Sequence, residues 1–87
     1  MLTQFVKKIQ FTRVLKAHLR LREFNFLKHT VDAVSYFSVD TVDDRGNRIM
    51  FNMHDFDGKW KIKEITGLPD WIYDAEPQLH NVILEEI

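Results

Sequence analysis

The chain contains no cysteine, which excludes a disulfide framework, a thiolate metal site and a cysteine nucleophile. That composition suits a reducing compartment, and a cytoplasmic location is the expectation. Glycine occurs only three times and never in a cluster, so there is no loop to cradle a phosphate with its backbone. The two serines, Ser35 and Ser38, both sit in a strand-like run without a nucleophile-elbow context. No apolar run approaches the roughly 18 residues of a membrane span, and Lys7 and Lys8 follow only six residues from the start. A soluble chain with no membrane partner is therefore expected. Internal repeats, low-complexity segments and linkers are also missing.

What is present is 87 residues with 45% hydrophobic content, enough for one domain around a single modest core. The net charge of −1 hides an imbalance. Residues 1–30 carry seven Lys or Arg against Glu23 alone, while residues 31–87 carry five against twelve Asp and Glu. Either the basic first third faces acidic elements of its own fold, or it offers a basic surface to an acidic partner or to a second copy in head-to-tail association.

The stretch from Ala33 to Ile65 organises the chain as three short strands and two tight turns. A three-residue loop, Asp44-Arg45-Gly46, puts Gly46 at a left-handed position, and Asp57-Gly58 suits a two-residue type I′ turn. The first loop sets Val39 opposite Phe51 and Phe37 opposite Met53; the second sets Met53 opposite Ile62 and Asp55 opposite Trp60. Phe37, Val39, Ile49, Phe51, Met53, Trp60 and Ile62 then share one face, which a one-residue slip in either hairpin would undo. Ser38, Asn52, His54, Lys59, Lys61 and Lys63 fall on the other face with Val34, Tyr36 and Met50. One apolar face calls for helices on that side.

Upstream, Leu2, Phe5, Val6 and Ile9 keep a 3.6-residue period and predict a short helix over residues 2–9. Leu15, Ala17, Leu19 and Leu21 alternate with Lys16, His18, Arg20 and Arg22 and argue for a strand, with an extended helix as the main competitor. The apolar phase changes at Arg22-Glu23, as a β-bulge would make it. Residues 12–28 thus read as one long, bent strand that pairs with residues 33–42 through a connection at His29 to Asp32. Downstream, Pro69 and Asp70, a candidate N-cap, announce a helix at 70–75, and Pro77 separates it from a second at 77–86 or kinks one helix. The predicted fold is α+β: a four-stranded curved antiparallel sheet with a short N-terminal helix and one kinked or two short C-terminal helices on one face.

The run Val34 to Ile65, with Tyr-Phe-Ser-Val-Asp, Asp-Arg-Gly-Asn, Ile-Met-Phe-Asn-Met and Asp-Gly-Lys-Trp-Lys-Ile, resembles the closing strands of nuclear-transport-factor-like domains of the cystatin-like cone class. That resemblance covers about 33 of the 87 residues and implies a curved antiparallel sheet wrapped around helices. The class hosts enzymes, binding proteins and dimerisation modules, so it leaves function open.

Tyr36 and His54 are expected cross-strand neighbours with Lys61 beside them, a trio able to bind an anion or to use His54 as a general base, yet also ordinary for a sheet face. No histidine spacing identifies a metal, and no catalytic residue, metal or cofactor is assigned. The Lys59, Lys61 and Lys63 stripe, with Lys16, Arg20 and Arg22 on the first strand, could track phosphates, but most aromatics are assigned to the core and nucleic acid is an unlikely partner. The favoured function is a non-catalytic protein-interaction or ligand-binding module, homodimeric, with Val34, Tyr36, Met50, His54 and Lys61 as binding residues and self-association or another protein as partner. One alternative is a small cone-type enzyme or binder of a small apolar ligand, its pocket lined by Phe51, Trp60 and Trp71. The other is an inhibitor or regulator that uses the acidic segment of Asp70, Asp74, Glu76, Glu85 and Glu86.

Overall fold

A computed structural model describes residues 9–63 and 67–87. The chain forms five antiparallel strands in sequential order, β1 (Gln10–Ala17), β2 (Arg20–Val31), β3 (Val34–Val42), β4 (Arg48–Phe56) and β5 (Lys59–Ile62), followed by helices α1 (Asp70–Asp74) and α2 (Glu76–Glu86). The α+β class and the antiparallel sheet agree with expectation, but the strands number five rather than four. The helix expected over residues 2–9 falls on residues that, Ile9 apart, lie outside those described.

Both sequence-derived registers hold. Val39 faces Phe51, Phe37 faces Met53, Met53 faces Ile62 and Asp55 faces Trp60. Gly46 sits at φ 85° and Gly58 at φ 89°, the left-handed conformations that their turns require. In the first loop the Asp43 carboxylate accepts the Arg45 and Asn47 backbone N–H groups at 2.9 and 2.8 Å. Those hydrogen bonds, the Asn47 one foremost, hold the Asp43 carboxyl below the usual aspartate range.

The single long strand over 12–28 is corrected to a hairpin. His18 and Leu19 take positive φ values of 54° and 65°, and Ala17 pairs with Arg20. The apolar phase change at Arg22-Glu23 marks the switch from odd to even inward positions across that turn, not a bulge. Likewise the connection at 29–32 narrows to Asp32-Ala33, at φ 51° and 66°, and His29 stays within β2 opposite Tyr36. Left-handed backbone costs an L-residue about 1–2 kcal/mol. Leu19 is 87% exposed and gives little packing in return. Leu19→Gly is therefore expected to raise stability by about 1 kcal/mol, seen as a higher urea midpoint at constant slope; a lowered midpoint would contradict the turn geometry.

Odd positions of β1, β3 and β4 and even positions of β2 and β5 turn inward together. Phe24, Phe26, Phe37, Val39, Phe51, Met53, Trp60 and Ile62 are buried there, and Ile72, Ala75, Leu79, Val82 and Ile83 cover them from the helices. The helices begin and end close to expectation, with Pro77 in the first turn of α2, where its missing N–H costs nothing. Asp70 is not the N-cap: Pro69 occupies that place with no side-chain cap bond.

Helix α2 reaches both edges of the sheet. On one side the Trp60 N–H donates to His80 Nδ1 at 3.0 Å and the Ile62 N–H to Glu76 Oε2 at 2.7 Å. On the other, Gln78 Nε2 donates to the Lys16 carbonyl at 3.0 Å, and Arg13 donates to Glu85 at 2.8 Å and Glu86 at 3.3 Å. One helix can touch both edge strands only because the sheet curls around it. Arg13, Arg20 and Arg22 pair with Glu85, Glu86 and Asp44, so much of the basic first third faces acids of its own fold.

Candidate functional site

The strand parity that fills the core also leaves the opposite face of the sheet without a covering element among the described residues. Even positions of β3 and β4 point there, so Tyr36 and His54 meet across the strands as the turns predict. The registers then align His29, Tyr36, His54 and Lys61 in one row across β2 to β5. The three rings form a stack, with His29 to Tyr36 centroids 4.8 Å apart and Tyr36 to His54 centroids 5.0 Å apart at 2° between planes. His29 Nε2 is 2.9 Å from Ser38 Oγ, which fixes the first ring.

A stack built this way spends ring faces on one another. Both faces of Tyr36 are covered by imidazoles, so the row presents ring edges outward, and a nucleobase finds no open phenol face to stack on. The half-buried rings stand on an open sheet surface rather than in a cleft that excludes water. The chemistry such a surface offers is recognition through ring edges and apolar flanks.

Of the expected binding residues, Tyr36, His54 and Lys61 come together in this row, and Val34, 64% exposed, stands in the adjoining row opposite Val31. Met50 lies on the same face but opposite Asp40, separated from His54 by Asn52. Around the rings, Leu27, Val31 and Phe56 join Val34 and Met50 as exposed apolar side chains, and farther along the face stand Val14, Leu21 and Val42. These eight are two thirds of the twelve large apolar residues left exposed among the described residues. His29, Val31 and Phe56 were not singled out from sequence. The expected connection at His29 to Asp32 leaves His29 outside the strand, and only a register anchored at Asp32-Ala33 sets it beside Tyr36.

The face also carries a polar row parallel to the rings. Thr12 Oγ1 donates to Asn25 Oδ1 at 2.6 Å, Asn25 Nδ2 to Asp40 Oδ1 at 2.9 Å and Arg48 Nη2 to Asp40 Oδ2 at 3.0 Å. Its charges are thus paired within the face. Among the described residues no group of three or more His, Cys, Asp and Glu side chains could hold a metal, and no helix is long and apolar enough to cross a membrane.

The pocket suggested by Phe51, Trp60 and Trp71 meets a filled interior at two of its three residues. Phe51 and Trp60 both project inward and are buried, and Trp60 packs edge-on against Phe37 at 5.2 Å. Trp71 is covered by the Arg22 guanidinium, 4.1 Å from its ring centroid. Cavities of about 300, 240 and 320 Å³ lie between β2 and β3, between β5 and α2, and near the start of β3; Trp60 lines the last two, His54 the third, and neither Phe51 nor Trp71 lines any of them. No family model, curated protein or solved structure matches this chain.

Proposed function

We propose that the protein is a non-catalytic interaction module and that the uncovered sheet face is its contact, taken by a second copy of the chain. The observation that carries this reading is the gathering of five exposed apolar side chains around a cross-strand ring stack, with three more farther along a face that no described element covers. Four strands about 4.8 Å apart and about 30 Å long offer about 600 Å² per copy, or about 1,200 Å² in total, the lower end of a specific interface. A two-fold pairing of sheet on sheet makes one patch serve both partners. Because Asp40 and Arg48 already neutralise one another, self-contact would bury no lone charge from that pair, and Lys59 and Lys61 stand at the margin, where water can reach them.

Sedimentation equilibrium across the micromolar range tests it. The wild-type chain is expected to fit a dimer, and Val34→Lys and Met50→Lys to shift it to monomer, losing only the concentration-dependent part of the unfolding midpoint, since both side chains are exposed in the single chain. A wild-type chain that stays monomeric, or a dimer indifferent to both substitutions, would remove the reading.

A further inference from the structure

The sheet is not closed along its whole length. Pairing of β2 with β3 begins at Asn25 and Asp40, whereas β2 continues to Arg20 with β1 as its only partner among the described residues. The two strands therefore part at Leu21 to Glu23 on one side and Thr41 to Val42 on the other. Thr41 bridges the start of the gap by donating to the Glu23 carbonyl at 2.9 Å, and beyond it lies the cavity of about 300 Å³. Alternation of the β1–β2 ladder, in which Ala17 and Arg20 close the turn, aims the Leu21 backbone groups and the Glu23 N–H into this gap.

Two guanidiniums converge at its end on a single carboxylate oxygen. Arg20 Nη1 donates to Asp44 Oδ1 at 2.8 Å, and Arg22 Nη2 stands 2.9 Å from the same atom but off the direction that a hydrogen bond needs. The Arg22 side chain is only 5% exposed. It is anchored by its Nε to the Ala17 carbonyl at 2.9 Å and by stacking on Trp71. Two guanidiniums thus share one carboxylate oxygen, and a carboxylate that could offer one oxygen to each arginine would serve both better. Desolvation pushes Asp44 up, but Arg22 and Arg20 together outweigh it and hold the carboxyl below its usual range.

We propose that the gap between β2 and β3 is a binding site for a single carboxylate carried on an extended peptide, and that Asp44 occupies it as an internal stand-in. The remaining charges set the class of ligand. With Asp44 displaced, Arg20 and Arg22 face Glu23, while Asp43 is offset by Arg45 within its own loop, so one positive charge is left over. That balance accommodates one negative charge and disfavours a phosphate chain. The exposed Leu21 and Val42 at the rim suit apolar neighbours of the acid, and the free backbone groups of β2 suit its main chain. The site stands without self-association, although Leu21 and Val42 are shared with the face proposed for the second copy.

The full chain, wild type and Asp44→Ala, is titrated by ¹⁵N NMR with acetyl-Val-Asp-Val-amide, its Asn counterpart and glutarate. Asp44→Ala is expected to bind the Asp peptide at least tenfold more tightly than wild type, with shifts at the Leu21 and Glu23 amides and the Arg22 Nε–H, while the Asn peptide fails to bind. Adding Arg20→Gln to Asp44→Ala is expected to abolish binding; Arg20 is exposed, and preserved spectral dispersion verifies the fold. Equal binding of the Asp and Asn peptides, no binding to Asp44→Ala, or indifference to Arg20→Gln would overturn the site. Glutarate binding as tightly as the peptide would overturn the peptide assignment in favour of a free-carboxylate site.

Discussion

Phe37→Ala is expected to cost about 3–5 kcal/mol, much of the roughly 5–10 kcal/mol that a domain of this size has in total. The ring is fully buried, meets Phe11 at 5.8 Å and Trp60 at 5.2 Å in edge-on contacts, and stands at the middle of the central strand. Truncation leaves a void bordered by two rings that cannot both move into it. The control is the adjacent residue: Tyr36→Ala removes a similar ring from the outward face, where cross-strand pairs contribute about 0.2–1 kcal/mol each. Thermal unfolding followed by circular dichroism should show Phe37→Ala with a midpoint lowered on the order of tens of degrees and Tyr36→Ala within about 2 kcal/mol of wild type. Comparable losses would mean that the two faces are not distinguished as the strand parity requires.

The second large effect is expected at the edge of β5. Glu76→Ala leaves the Ile62 N–H, and His80→Ala the Trp60 N–H, without the acceptors that α2 supplies. Each part-buried donor left unmade costs about 1–3 kcal/mol. Glu76→Gln keeps an acceptor oxygen and is expected to lose less. For His80 the bond requires that the ring proton sit on Nε2, leaving Nδ1 as acceptor. The double variant should also aggregate, because an uncapped edge offers its N–H groups to another chain. Denaturant midpoints combined with light scattering check both parts, and a double variant within about 0.5 kcal/mol of wild type would show that the two acceptors are dispensable.

The turns decided how much of this fold could be read from sequence. Where glycine marks a left-handed position, at Gly46 and Gly58, loop length set the register, and every pairing from β3 to β5 followed, including Tyr36 beside His54. Where left-handed positions are held by His18-Leu19 and Asp32-Ala33, no glycine fixes the reversal: the second turn is legible only as a loose connection, and at the first two strands read as one. Arg22 deepened the error. It occupies the first inward position of β2, so the residue that would have announced the new parity is charged, and its burial depends on Asp44 and Trp71, far away in sequence. His29 was lost from the ring row for the same reason. Helix α2 was legible from Leu79, Val82 and Ile83, but the use of Glu76 and His80 as backbone acceptors was not, because nothing local distinguishes such a side chain from a solvated one.

The path of the chain also bears on the order in which its parts assemble. Each strand lies beside its sequence neighbour, so the layer forms by closing short loops, whereas Arg13 with Glu85 and Lys16 with Gln78 join residues 72 and 62 positions apart. Loop-closure entropy grows with that separation. The bonds of α2 to β5 span only 20 and 14 positions, so the contact with β1, not the docking on β5, is the part expected to close last and open first, and amide exchange in β1 near Lys16 should outpace that in β5.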